Sequence, residues 1–216
     1  MTRRGETYSM SAEAARQHGR DLIPCIRAIL GRAQVKLAEI ELVGVGVGPG
    51  SYTGLRVGVM AAKTIAYATG AVLVGLDTFE AIACNAAGEA TRIAVIADAQ
   101  RGDLYVAEWG RACAGGPLHL TQPCQVEPLL GWLRRLAPSD VFLGPALESG
   151  TIRASIPPHR LPADPGSNFP DARHLIQLAL DAHTKGIHDD MWNLEPRYLR
   201  RSSAEEKWEA RRPPAS

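Results

Sequence analysis

The residues most open to chemistry lie in one run, Gly48-Pro49-Gly50-Ser51-Tyr52-Thr53. Glycines let a backbone come close to another group. A helix starting just after such a turn presents free N–H groups and a partial positive charge, so a phosphate or carboxylate could sit there. Gly48, Pro49, Gly50, Ser51 and Thr53 are therefore candidate anion-binding positions. The run is not a Walker A loop, because no Gly-Lys-Ser/Thr follows at the required spacing. It is not the dinucleotide fingerprint either, since Thr53 stands where the third glycine belongs. A tight strand-to-helix connection with no ligand accounts for the same residues.

Other reactive groups are scattered. Asp98 and Asp103 flank a turn, where carboxylates more often bond nearby N–H groups than hold a metal. His18 stands alone, and His183 and His188 are not at i, i+4 spacing. Cys25, Cys84, Cys113 and Cys124 show no C-x-x-C pair or zinc spacing. They fit reduced thiols in a cytoplasmic protein. No Ser–His–Asp or Cys–His set follows from order alone, so no catalytic or metal-ligating residue is nominated.

The elements that position the glycine run are legible. Val43 to Val47 reads as a buried strand, and a helix follows the turn to Thr69. Ser51 or Thr53 can cap that helix, and Gly70 suits its end. Gly54, Gly58, Ala62 and Ala66 recur every four residues and form a ridge with almost no side chain. Close packing within the chain and a subunit contact are equal readings of that ridge. An earlier helix, 11–33, starts at a Ser11 cap and places Leu22, Ile23, Ile26, Ile29 and Leu30 on one face.

After Gly70 the pattern predicts a strand over Ala71–Leu76 and a helix from Thr78 to Ala87, capped by Asp77 or Thr78. Arg92–Asp98 and Asp103–Trp109 read as a hairpin. Arg111 to Pro123 reads as loop, Glu127 to Leu136 as an amphipathic helix, and Val141 to Gly144 as a strand. Thr151 to Ser167 is irregular, Asp171 to Thr184 is a helix, and Ser202 with Glu205 could box a last one. The basic residues between Arg197 and Arg212 read as a solvated tail or as one touching RNA or a partner.

The chain has 216 residues, 45% hydrophobic and 22% charged, enough for a real core. A net charge of +1 offers no global field to draw nucleic acid. No run approaches the roughly 18 apolar residues of a membrane span. The start lacks the apolar core of a signal peptide.

Gly48-Pro-Gly-Ser-Tyr-Thr-Gly-Leu-Arg-Val-Gly58, followed by Val72-Leu-Val-Gly-Leu-Asp-Thr-Phe-Glu-Ala81, resembles the signature of the TsaB (YeaZ-like) family. Asp98-Ala-Gln-Arg-Gly-Asp-Leu-Tyr105 is similar to its second signature, and Pro196-Arg-Tyr-Leu-Arg200 to its C-terminal segment. The resemblance implies an α/β, actin-like and ribonuclease-H-like (ASKHA) fold in two lobes, 1–90 and 91–216, that meet near Asn85 to Thr91. It implies a non-catalytic scaffold subunit of the complex that transfers a threonylcarbamoyl group to adenosine beside the tRNA anticodon. The implied partners are a catalytic subunit, TsaD, and an ATPase subunit, TsaE, or a second copy of the chain. Contact with tRNA is then indirect, and no cofactor or membrane is implied. Leu22, Ile26, Gly54, Leu55, Gly58, Ala62 and Ala66 become the expected interface.

The family's catalytic relative carries a His-x-x-x-His metal pair, which falls by position on Thr78 and Ile82 here. A rival reading keeps an enzyme: an actin-like nucleotide hydrolase or an M22 glycopeptidase-like protein. Family members also open with a strand ending in Asp-Thr-Ser or Asp-Thr-Ala. Arg4-Gly-Glu-Thr-Tyr8 resembles the end of the hairpin after it. On the order of 20 residues, two strands' worth, are therefore expected upstream of Met1.

Overall fold

The structure is a computed structural model and describes residues 1–3, 5–10, 18–135 and 140–199. The Ser11 cap, Arg200 and the last helix expected from Ser202 lie outside those residues. The strands are β1 (Thr2–Arg3), β2 (Glu6–Thr7), β3 (Leu42–Gly48), β4 (Val72–Asp77), β5 (Arg92–Gln100), β6 (Asp103–Gly110), β7 (His119–Pro128) and β8 (Asp140–Leu143). The helices are α1 (His18–Ala33), α2 (Tyr52–Thr69), α3 (Thr78–Ala83), α4 (Leu129–Leu133), α5 (Gly150–Ala154) and α6 (Ala172–Thr184).

β3 and β4 pair in parallel, Leu42 opposite Val72 through Gly46 opposite Leu76. Successive side chains in a strand point to opposite faces. One face therefore carries Val43, Val45 and Leu73, which pack with Ala62 and Ala66 of α2. The other carries Val74 and Leu76, which pack with Ala179 of α6. The alternating Val-Gly run serves both. At Gly44 a Cβ would stand 2.9 Å from Ala179 Cβ, so the glycine lets α6 lie close to the sheet. At Gly46 it would stand 3.0 Å from Thr78 Oγ1.

The second sheet has the order β7-β6-β5-β8, antiparallel except for the β5–β8 pair. Ala94, Ile96, Leu104 and Val106 on one face pack with Phe142, Trp132 and Leu147. Ile93, Val95, Ala107 and Trp109 on the other bury Phe79 and Ile82 of α3. Trp132 meets Phe142 edge-on, with ring centroids 5.3 Å apart.

Two expectations are corrected. Residues 119–128 are a strand, where the sequence reads as loop and then helix, and α4 spans only Leu129–Leu133. β7 is an edge strand, largely exposed, and holds Pro123 and Pro128. Proline is tolerated at an edge but erases the strand pattern in sequence. The helix predicted to Ala87 stops at Ala83, because the chain turns there to bury Ala86 against the second sheet. Pro24 lies inside α1, which continues through it.

Candidate functional site

The glycine run forms the joint between β3 and α2. Ser51 is the N-cap, its Oγ accepting from Gly54 N–H at 3.4 Å, and Gly70 ends α2 with φ +73°. Thr53 is exposed and takes no capping role. Gly48 has φ +117°, a cis bond to the buried Pro49, and an N–H that donates to Thr78 Oγ1 at 3.2 Å. Leu55 folds back over Gly48 and Gly50, 3.1 Å from where a Gly48 Cβ would be.

The space over the turn is filled from the far end of the described chain. Arg197 N–H donates to Val47 O at 2.7 Å. The Arg197 carbonyl lies 3.0 Å from the position of a Gly48 Cβ, so any side chain there would press on it. Arg197 Nη1 also reaches Asp77 Oδ2 at 2.9 Å. Asp77 in turn caps α3, its Oδ1 accepting from Phe79 and Glu80 N–H. Tyr198 stacks on Tyr52, ring centroids 4.6 Å apart, and its hydroxyl accepts from Arg56 Nε at 3.0 Å. The Arg56 guanidinium sits 4.3 Å from the Tyr52 ring centroid, in cation–π range.

Burial shifts Glu80, Cys124 and Cys84 near this joint. Glu80 is held above its ordinary value by burial and by Asp77, with Lys185 opposing. The Cys124 thiol is pushed up to about 12 by burial and by Asp77, with Arg197 opposing. A thiol so shifted stays protonated and is a poor nucleophile. Cys84 is raised by burial and Glu80, against Arg111.

The expected interface residues divide. Ala62 and Ala66 are 5% and 2% exposed and belong to the core under β3 and β4. A Gly58 Cβ would meet Val45 Cγ2 at 3.9 Å, so Gly58 also faces the sheet. The ridge from Gly58 to Ala66 therefore packs inside the chain. Gly54, Leu55, Leu22 and Ile26 are half-buried. The outer surface of α2 instead carries Met60 and Tyr67, 61% and 68% exposed, and α1 carries exposed Ile23.

Asp98 and Asp103 flank the β5–β6 turn, where Asp98 Oδ1 accepts from Gln100 N–H at 2.7 Å. Thr78 opens α3, and Ile82 is 1% exposed in the second core. Among the described residues no group of three His, Cys, Asp or Glu could hold a metal ion. Nor is any helix among them long and apolar enough to cross a membrane. Sequence reasoning missed Asp189, Leu194 and Arg197 as parts of this joint. Gly75, an isolated glycine inside a strand, was the available signal of a close approach.

The family model for tRNA N6-adenosine threonylcarbamoyltransferase (TsaD) matches residues 10–116. The tRNA threonylcarbamoyladenosine biosynthesis protein TsaB of Bacillus subtilis is 28% identical over 198 residues, 89% of this chain and 84% of its own length. The chain is thus similar to a TsaB (YeaZ-like) protein along most of its length. TsaB of Escherichia coli is 33% identical over 98 residues, 44% of this chain and 42% of that protein. A Pseudomonas aeruginosa protein similar to the peptidase YeaZ superposes with a TM-score of 0.72 at 24% identity, covering 92% of each chain. That likeness shows a shared mixed α/β fold, as expected.

Proposed function

We propose that this chain takes part in making threonylcarbamoyladenosine in tRNA, as a subunit without chemistry of its own. It would act in the cytoplasm, as a two-lobed body divided near residue 90, and hold a TsaD-type catalytic subunit with a TsaE-type ATPase nearby. The observation that carries this reading is the likeness to Bacillus subtilis TsaB along 89% of the chain. Ile82 supports the non-catalytic part: its side chain is core packing at a position where the catalytic relative is expected to hold a metal.

The contact with the partner runs over the outer faces of α1 and α2. Ile23, Met60 and Tyr67 supply exposed apolar surface there, of a kind enriched at interfaces. Leu22, Ile26 and Leu55 flank it, while the Gly58–Ala66 ridge supports it from beneath.

The test is reconstitution with the TsaD and TsaE proteins of the same organism, tRNA and a threonylcarbamoyl donor. The chain alone transfers nothing, and full transfer needs all three proteins. Robust transfer by the chain alone, or transfer by the other two that ignores it, overturns the proposal.

A further inference from the structure

After α6 the chain runs back across the first sheet. Asp189 N–H donates to Leu73 O at 2.9 Å, and Asp189 Oδ2 accepts from Gly75 N–H at 2.7 Å. These are alternate backbone groups of β4, so one residue satisfies both along the strand's outer edge. Lys63 Nζ donates to the carbonyls of Trp192 and Leu194, at 3.3 and 3.1 Å. Leu194 then covers Gly75, where a Cβ would stand 2.8 Å from Leu194 Cδ1. Arg197 and Tyr198 complete the run at the glycine turn.

We propose that residues 189–198 are a strap, that the glycine turn is its receptor, and that its seating sets the face of α2 that meets the partner. Two glycines on two strands make the case for a receptor. Gly48 and Gly75 are both positions where a side chain would collide with this one segment. The missing side chains thus admit the Arg197 carbonyl over Gly48 and the Leu194 side chain over Gly75.

The case for control lies along α2. The strap touches Tyr52, Arg56, Lys63 and Tyr67, the last through an edge-on contact with Trp192 at 5.9 Å. With Met60 between them, these positions follow one stripe of the helix. The sheet grips a neighbouring stripe through Gly58, Ala62 and Ala66, where Met191 and Leu194 of the strap join the same core. Strap and sheet together hold α2, and the stripe that the strap contacts is the one that carries the exposed Met60. The control half of this inference rests on the proposed function; the receptor half does not.

The experiment compares the full chain with its Arg197→Ala/Tyr198→Ala variant in two measurements. Hydrogen exchange on the protein alone reports the amides of residues 48–56 and 73–75. Titration with the TsaD-type subunit reports affinity. The variant should melt cooperatively, exchange those amides faster, and bind the subunit about tenfold more weakly, a typical coupling between sites. Arg197→Lys/Tyr198→Phe, which keeps the charge and the ring stack, should recover most of the affinity. If the double variant does not fold, Tyr198→Ala alone takes its place. Unchanged exchange overturns the strap. Faster exchange with unchanged affinity overturns the control. A wild-type chain that binds no such subunit overturns the proposed function, and the exchange measurement still decides the receptor half.

Discussion

Arg197 Nη1 lies 2.9 Å from Asp77 Oδ2, while the other oxygen of the same carboxylate caps α3. One side chain thus ends a strand, starts a helix and receives the strap. These roles separate by substitution. Asp77→Ala loses cap and pair together and should cost about 1–2 kcal/mol. Asp77→Asn keeps a capping oxygen and loses only an exposed pair, which is worth about 0–1 kcal/mol. Urea melts of the two variants beside wild type check the order. An Asn variant as weak as the Ala variant would place the stability in the pair.

Glu80 and Asp171 should respond to pH with opposite signs. Burial, then Asp77, raises Glu80 from its ordinary 4.5, so the folded chain binds this proton more tightly than the unfolded one. Its contribution is greatest below that value and is lost as pH rises through the window above it. Glu80→Gln should therefore stabilise the protein at neutral pH and flatten stability against pH in that window. Asp171 is held below its ordinary 3.8, chiefly by its hydrogen bond with Arg173. Its stabilisation is present above that value and fades as pH falls through the folded one. Asp171→Asn should remove that acid-side loss. Thermal melts from pH 3 to 8 give both slopes.

Gly58 and Gly44 should behave in opposite ways on change to alanine. Gly58 is mid-helix, with its nearest neighbour at an ordinary contact distance. Alanine there should gain about 0.5–1 kcal/mol from helix propensity. Gly44 has no such room, because Ala179 Cβ stands at 2.9 Å and Leu76 Cδ1 at 3.2 Å. Alanine there should lose about 1–3 kcal/mol as α6 is pushed off the sheet. Chemical denaturation separates the two signs.

Gly144 should tolerate nothing larger. Its φ is +116°, and a Cβ would lie 2.2 Å from Ile96 O, a backbone atom with no freedom to retreat. Gly144→Ala is expected to cost more than about 4 kcal/mol, in the exceptional range. Loss of soluble protein on expression, or a collapsed melting temperature, is the readout.

Much of the architecture was legible because its causes are local. The β3–α2 joint shows itself through Ser51, Gly70 and the switch from period two to helical spacing. The Asp77 cap and the β5–β6 hairpin are equally local. β7 was not legible, since its prolines and exposed edge leave no alternation to read. The role of the small-residue ridge was not legible. Four-residue spacing identified the ridge, but nothing in a helix pattern says whether a small-residue stripe faces a partner or the chain's own sheet. The strap was invisible for a simpler reason. Asp189 and Gly75 are 114 positions apart, and no local pattern encodes their meeting.

That separation also orders events during synthesis. Two outward groups of β4, Leu73 O and Gly75 N–H, receive their partner only when Asp189 has been added, 114 residues after Gly75. At about 5–20 residues per second the interval is roughly 6–23 s. For that time β4 leaves the ribosome as an open edge beside an already apolar helix, a template for pairing with a neighbouring nascent chain. The segment that closes the edge is made long after the edge itself, so in that interval the nascent protein depends on a chaperone standing in for it to stay single.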